Sequence, residues 1–177
     1  MLTLLLLRHA KSSWPGDDTA DIDRPLNARG KRAAEAIGRH LAASGPMPQR
    51  VLCSPARRTR NTWDVLSAGL KAEPDFIVDD ALYDFGDGNR LLECLARRGG
   101  EASVLMLIGH NPAIGELANW LTGHGDKTLR GRMAKKYPTG ALAVIGLPAG
   151  NWRALRQGSG ELLAFTRPKE LLGDTGE

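Results

Sequence analysis

Two short apolar segments, each followed by a histidine, constrain the fold of this chain more than any other feature. Residues 2–7, LTLLLL, are followed directly by Arg8 and His9. Residues 104–108 are followed by one glycine and then by His110. Apolar runs of this length are typical of strands buried on both faces, as in parallel sheets. Open α/β sheets bind ligands at the carboxyl ends of such strands. The pattern therefore predicts a site for an anion, such as phosphate, that contains both imidazoles and an arginine.

Composition agrees with one globular domain that acts on an acidic substrate. Hydrophobic residues make up 42% of the 177 residues and charged residues 25%, which is ordinary for a folded domain. The net charge of +4 does not require nucleic acid or a membrane surface as a partner. The only cysteines, Cys53 and Cys94, indicate a reducing, cytoplasmic location and no disulfide framework. The basic residues between 127 and 136 are predicted to form a solvated loop or rim.

Strand and helix signals alternate along the chain, as expected for an α/β fold. Asn27 is a predicted helix N-cap, and the Ser-Pro and Asn-Pro pairs at 54–55 and 111–112 resemble helix starts. The alternation predicts one domain over residues 1–167, followed by a loose polar tail over 168–177. The predicted strands cover residues 2–7, 50–54, 76–80 and 103–109, with two more or a hairpin in 141–147 and 152–165; the predicted helices cover residues 28–43, 56–70, 90–97 and 113–121.

The predicted strand ends bring together groups suited to phosphoryl transfer. Arg8 and one of the arginines at 57, 58 and 60 would clamp a phosphoryl group with their planar guanidinium forks. A neutral histidine has a lone pair for attack on phosphorus, and nearby arginines lower its pKa and so favour that form. The second imidazole would donate to the oxygens on which transition-state charge develops. His40 and His124 are predicted to be structural or solvated, and no spacing typical of a metal site is present.

Three segments resemble the histidine phosphatase superfamily, whose fold is called phosphoglycerate mutase-like. RHAKSSW resembles its RHG-x-S signature, with Ala10 in place of glycine; SPARRTRNT and GHNP resemble its later arginine and histidine motifs. The resemblance implies a three-layer αβα sandwich with a mostly parallel central sheet. It implies that His9 attacks phosphorus, that Arg8, Arg58 and His110 hold the phosphoryl oxygens, and that no metal or cofactor is required.

The short chain and the DIDRPLNARG segment look most like the SixA-type phosphohistidine phosphatases. This resemblance implies a phosphohistidine-bearing signalling protein as the partner. Many relatives carry a glutamate as general acid, and Asp84 occupies the most similar place, with Asp87 as the fallback. Ser12 and Arg24 are predicted to contact the substrate. Pro15 departs from the asparagine of the mutase-like members and disfavours a sugar-phosphate mutase.

Three alternatives to a phosphohistidine phosphatase remain at this stage. The first is a broad-specificity phosphomonoesterase that acts on small molecules. The second is a non-catalytic module that binds phosphorylated groups without turnover. The third is a cysteine-dependent phosphatase that uses Cys53, although such enzymes need C-x5-R and Thr59 stands at the arginine position.

Overall fold

The apolar segment at the start of the chain forms the central strand of a seven-stranded sheet. The structure is a computed structural model and describes residues 1–173. The sheet order is β3-β2-β4-β1-β6-β7-β5, with β6 antiparallel to both of its neighbours and all other pairs parallel. The strands are β1 (Leu2–Arg8), β2 (Arg50–Cys53), β3 (Asp75–Val78), β4 (Val104–Gly109), β5 (Thr122–Gly125), β6 (Leu142–Leu147) and β7 (Gly160–Thr166).

Helices cover both faces of the sheet and complete three layers. Leu4 and Leu6 of β1 pack on one face with residues of α3 and α4, whereas Leu5 and Leu7 pack on the other with α1 and α2. This alternation explains the continuous apolar run, because a strand buried on both faces has no solvent-facing side. The helices are α1 (Ala28–Ser44), α2 (Arg57–Ser67), α3 (Asn89–Arg98), α4 (Ala113–Leu121), α5 (Lys127–Lys135) and α6 (Pro168–Leu172).

The predicted mostly parallel α/β sandwich is confirmed, and several elements begin where their sequence signals place them. The Asn27 side chain accepts a hydrogen bond from the Gly30 amide at 2.8 Å, which caps α1. The bounds of α4 agree with the predicted helix over 113–121. Within residues 1–173, no helix is long and apolar enough to cross a membrane.

Three elements differ from the predictions, and each depends on its surroundings. The basic segment predicted as a loop forms α5, which begins because Asp126 accepts from the Leu129 amide at 2.8 Å. The glycine-rich segment around His124 forms β5 by pairing with β7. Residues 168–172 of the predicted loose tail form α6, which packs against α1. Residues 174–177 of that tail lie outside the described residues.

The first turn of α1 is tied to the segment that follows His9. The Asn27 amide donates to the Lys11 carbonyl at 3.1 Å, and Ser12 forms an antiparallel bridge with Leu26. Gly30 lies so close to this segment that a Cβ atom there would overlap the Lys11 carbonyl oxygen. The start of α1 therefore supports the chain immediately after the first histidine.

Candidate active site

The two histidines follow adjacent parallel strands and meet at one edge of the sheet. Arg8 ends β1 directly opposite Gly109 of β4, so His9 and His110 leave the sheet side by side. Their ring centroids are 5.2 Å apart, with 53° between the ring planes. The structure thus brings together the two imidazoles that the sequence predicts at a shared site.

His9 is held in the form that a nucleophile requires. Its Nδ1 lies 2.8 Å from the Ala10 carbonyl oxygen. A carbonyl can only accept, so Nδ1 carries the proton and Nε2 keeps its lone pair. Burial lowers the pKa of His9 to about 3, and the nearby cations of Arg58 and Arg8 favour the same direction. His9 is therefore neutral at physiological pH, with Nε2 available for attack.

His110 has a side-chain partner on each of its ring nitrogens. Arg58 Nη2 donates to Nδ1 at 3.3 Å, and Nε2 lies 2.7 Å from the Ser54 hydroxyl oxygen. Because arginine can only donate, Nδ1 accepts and Nε2 carries the proton in this arrangement. Burial, followed by the neighbouring His9 and Arg58, lowers the pKa of His110 to about 2. The sequence predicted a helix N-cap at Ser54, but α2 begins at Arg57 with Ala56 as its N-cap, and the Ser54 hydroxyl contacts His110 instead.

Arg58 is the arginine that the fold directs into the site. It is only 2% exposed, whereas Arg57 and Arg60 on the same helix are exposed. This placement agrees with the motif resemblance, which selects Arg58. Nε of Arg8 and of Arg58 is buried without a hydrogen-bond partner among residues 1–173. Both arginines line the pocket, where a guanidinium group can donate to an anion.

These side chains line a pocket of about 240 Å³. Four cations, Arg8, Lys11, Arg24 and Arg58, face one carboxylate, that of Asp21. A small pocket with this excess of positive charge and with fork-shaped donors suits a phosphoryl group. The other lining residues are His9, Ser12, Phe85, His110, Asn111 and Thr139.

Asp21 is a pocket residue that sequence reasoning missed. It lies on a short 3-10 helix, Asp21–Asp23, and its carboxylate accepts from Arg24 and Arg58, each at 3.0 Å. The Tyr83 hydroxyl also donates to it, at 2.5 Å. The only available signal was its place in the DIDRPLNARG segment, because no local pattern links it to residues 37 and 62 positions away.

Sequence comparison places the chain in a family. A model of the histidine phosphatase superfamily (branch 1) matches residues 4–144. The chain belongs to this superfamily. An uncharacterized protein from Mycobacterium tuberculosis is 35% identical to this histidine phosphatase over 165 residues, which cover 92% of this chain and 100% of that protein.

Two solved structures share both fold and recognisable sequence with this histidine phosphatase. The proposed phosphohistidine phosphatase SixA from Nakamurella multipartitia has a TM-score of 0.81 and 29% identity, covering 94% of this chain and 96% of that one. The corresponding proposed SixA protein from Agrobacterium tumefaciens has a TM-score of 0.77 and 28% identity, covering 94% and 98%. The predicted resemblance to the SixA type is thereby confirmed.

The predicted substrate contacts, Ser12 and Arg24, both line the pocket. Arg24 donates from Nη2 to the Ser12 hydroxyl at 2.8 Å and lies 4.1 Å from the centre of the Trp14 ring. Ser12 is 9% exposed and sits in the segment supported by α1. The two side chains therefore form one wall of the pocket in the histidine phosphatase.

The predicted acid, Asp84, is not among the residues that line this pocket. Its Oδ1 lies 3.9 Å from Arg90 Nη1, and its side chain is 12% exposed. The next residue, Phe85, lines the pocket instead, with its ring centroid 4.9 Å from that of His110. The fallback, Asp87, is exposed and accepts hydrogen bonds from Asn89 at the start of α3. Asp87 thus has a local structural role.

Cys53 lacks the properties of a phosphatase nucleophile. It is fully buried at the end of β2 and does not line the pocket. Burial raises the pKa of its thiol to about 12, so the thiolate does not form near neutral pH. His9 is therefore the better nucleophile in this structure.

Proposed function

We propose that the protein is a metal-independent phosphatase that removes phosphate from phosphohistidine in a partner protein through its own phosphohistidine intermediate. The observation that carries this proposal is the neutral His9, with its Nε2 lone pair, beside Arg8, Arg58 and His110 in a cationic pocket. A buried, desolvated cluster of this kind binds an anion and presents a nucleophile to it.

The proposed reaction has two displacements at phosphorus. In the first, His9 Nε2 forms a bond to phosphorus while the bond from phosphorus to the substrate nitrogen breaks, and the departing imidazole takes up a proton. In the second, water attacks phosphorus, a proton is lost to solvent, and the bond to His9 breaks. Phosphate is released and neutral His9 is restored. Arg8 and Arg58 stabilise the negative charge on the phosphoryl oxygens in both steps.

The acid–base character of the pocket favours a nitrogen leaving group. Burial alone would raise the pKa of Asp21, but hydrogen bonds from Tyr83, Arg24 and Arg58 outweigh it and lower the pKa to about 2. Asp21 is therefore ionised and cannot protonate a leaving group. An imidazole, with an ordinary pKa of about 6.5, is readily protonated near neutral pH, whereas an alkoxide needs a strong general acid. This contrast supports phosphohistidine over an aliphatic phosphate ester.

The surroundings of the pocket support a large substrate with a planar leaving group. Phe85 is 47% exposed at the pocket, so one part of its ring is free to stack against an imidazole. A second depression of about 280 Å³ shares Arg8 and Asn111 with the first and extends along α4 and α5.

We expect this protein to act in the cytoplasm, since Cys53 and Cys94 are both buried free thiols.

Phosphate release from matched substrates tests the proposal. The purified protein is incubated with a phosphohistidine carrier domain, a phosphoserine peptide and p-nitrophenyl phosphate. We expect kcat/KM for the carrier domain to exceed that for phosphoserine by about a hundredfold, since the carboxylate that lines the pocket, Asp21, is ionised and cannot protonate the alkoxide. Equal turnover of all three would instead support a broad-specificity phosphomonoesterase. Binding of phosphate without any turnover would support a non-catalytic binding module.

The role of Asp84 remains a proposal with its own test. Movement of its loop would be required for its carboxyl group to reach a leaving oxygen. If Asp84 reaches the leaving oxygen in this way, Asp84→Asn should lower the residual turnover of a phosphoserine peptide, which needs an acid, while it changes turnover of phosphohistidine by less than about threefold. Asp87→Asn is the matched control on the same loop. Equal losses for both substrates would argue against an acid role for Asp84.

A further inference from the structure

One carboxylate in the pocket has no role in the proposed displacement steps. Asp21 Oδ2 accepts from Arg58 Nη2 at 3.0 Å, and its backbone carbonyl accepts from Arg58 Nη1 at 2.6 Å. Both terminal nitrogens of Arg58 are therefore held by a single residue. This two-point contact fixes the plane of the guanidinium group, because rotation about its terminal bonds would break one of the two bonds.

Asp21 also connects Arg58 to the opposite wall of the pocket. Its Oδ1 accepts from Arg24 Nη1 at 3.0 Å, and Arg24 in turn reaches the Ser12 hydroxyl. The Tyr83 hydroxyl donates to Oδ2 at 2.5 Å and orients the carboxylate from the side of the loop after β3. One acidic side chain thus links two arginines that line the pocket from different elements of the fold.

We propose that Asp21 is a positioning residue that holds Arg58 and Arg24 in the orientation required by the transition state and weakens the binding of ground-state phosphate. This inference rests on the proposed phosphatase function. Without Asp21, the arginine could reorient and form its strongest ion pair with bound phosphate, whether or not that orientation suits the transition state. A fixed arginine instead donates along the directions in which charge develops during transfer. Such differential binding raises turnover rather than affinity.

The negative charge of Asp21 also weakens the binding of ground-state phosphate. Asp21 is ionised at neutral pH, and its carboxylate accepts from the same guanidinium group, that of Arg58, that would contact the phosphate. Two negative groups that share one arginine repel each other, and removal of one of them strengthens binding of the other. Asp21 thus lowers the affinity of the pocket for phosphate while it orders the groups around it.

The decisive experiment compares Asp21→Asn with Asp23→Asn. Both substitutions remove one negative charge from the same 3-10 helix, but Asp23 is exposed, and within residues 1–173 its carboxylate forms no ion pair with Arg24 or Arg58. Kinetics with p-nitrophenyl phosphate and calorimetry with inorganic phosphate are measured for each variant. For Asp21→Asn we expect kcat to fall about tenfold or more, because misplaced groups slow transfer. We expect the Kd for phosphate to fall about threefold.

Each outcome decides the role of Asp21. Asp23→Asn should stay within about twofold of the unmodified protein in both measurements. If Asp21→Asn leaves kcat unchanged, or if it lowers kcat without tightening phosphate binding, then Asp21 only supports the pocket and the inference is wrong. If Asp21→Asn does not fold, Tyr83→Phe replaces it, with an expected fall in kcat of about threefold and no rise in the Kd for phosphate. A lower kcat with weaker phosphate binding by this variant would equally overturn the inference.

The binding arm separates this inference from the proposed function. If the unmodified protein hydrolyses none of the phosphorylated substrates, the phosphatase proposal fails. Calorimetry still reports whether Asp21 lowers the affinity of the pocket arginines for inorganic phosphate. Tighter phosphate binding by Asp21→Asn, but not by Asp23→Asn, would then support the ground-state part of the inference, and unchanged binding would overturn it.

Discussion

The two histidines occupy equivalent places after adjacent strands, yet their surroundings differ. His9 has one ring nitrogen bound to the carbonyl of the next residue and keeps the other for chemistry. His110 has both ring nitrogens bound by side chains, those of Ser54 and Arg58. The same position relative to a strand therefore gives two different environments, which suit the roles that we propose: attack on phosphorus for His9 and orientation of the surrounding groups for His110.

The difference arises from the chain that follows each strand. After β1 the Ala10 carbonyl accepts from His9, and within residues 1–173 no side chain forms a hydrogen bond to the second ring nitrogen. After β4 the ring meets the end of β2 and the start of α2, which supply a hydroxyl and a guanidinium group. A histidine with a free nitrogen is suited to be a nucleophile, whereas one bound on both sides has a fixed orientation.

Replacement of His9 should have the largest effect. We expect His9→Asn to reduce turnover by at least about a thousandfold, because no other group supplies the nucleophile. His124→Asn, which changes an exposed histidine on β5, is the control and should retain full turnover. Quenching during turnover should leave acid-labile, base-stable phosphate on His9. Label on Cys53 or on a serine would refute the proposed intermediate.

Arg58 should come next. Arg58→Ala removes the buried guanidinium group that contacts His110 and faces the phosphate site, with an expected loss of about 100- to 1000-fold in kcat. Arg57→Ala changes the exposed neighbour in the same helical turn and should alter kcat by less than about twofold. Steady-state kinetics of the two variants checks this assignment. A large loss of kcat in Arg57→Ala and a small one in Arg58→Ala would show that Arg57 is the phosphate-binding arginine.

The pH dependence of stability should report both histidines together. Their pKa values in the folded protein, about 3 and about 2, lie below the value of about 6.5 expected in the unfolded chain. The unfolded state therefore binds protons first, and stability falls as pH decreases below 6.5, by at most about 1.4 kcal/mol per pH unit for each histidine. Urea denaturation at pH 7, 6 and 5 measures this loss.

Substitution of the two histidines provides the control for this pH effect. The double variant His9→Asn/His110→Asn should show little pH dependence between 6.5 and 5. The carboxylates with lowered pKa, such as Asp21, lose their contribution only at lower pH. An undiminished slope in the double variant would mean that other groups cause the loss of stability.

The smallest expected effect concerns the orientation of His110. Ser54→Ala removes the hydroxyl 2.7 Å from Nε2 and leaves a buried N–H without its partner. A loss of about 1–2 kcal/mol, or roughly tenfold in kcat, is expected. Ser67→Ala, at the half-buried last residue of α2, is the control. Unchanged turnover of Ser54→Ala would show that Arg58 and ring packing alone orient His110.

The parts of the fold that local patterns specify were predicted well. The apolar segments of β1 and β4 and the Asn27 cap of α1 each act within a few residues, so the sequence alone indicates them. The segment that forms α5 has many charged residues and only one buried side chain, Met133, so its sequence resembles a solvated loop. Likewise, β5 exists only through its pairing with β7.

The candidate site shows the same division between local and distant interactions. His9 and His110 were predicted from strand ends, and Arg58 from its motif. Asp21 was missed because its contacts to Arg58 and Tyr83 depend on how a loop of the folded chain lies against α2. The same applies to Phe85, which faces the pocket while its neighbour faces Arg90, a choice that depends on the path of the loop.

The close approach of Gly30 to Lys11 has a consequence for how this protein tolerates change. Even a methyl group at position 30 would push on the backbone two residues after His9. The conservative replacement Gly30→Ala, which ordinarily favours a helix, should therefore displace the segment that follows His9, the proposed nucleophile, although Gly30 does not line the pocket. Attempts to rigidify α1 for thermal robustness should leave this glycine unchanged, because a side chain at position 30 has no room beside the Lys11 backbone.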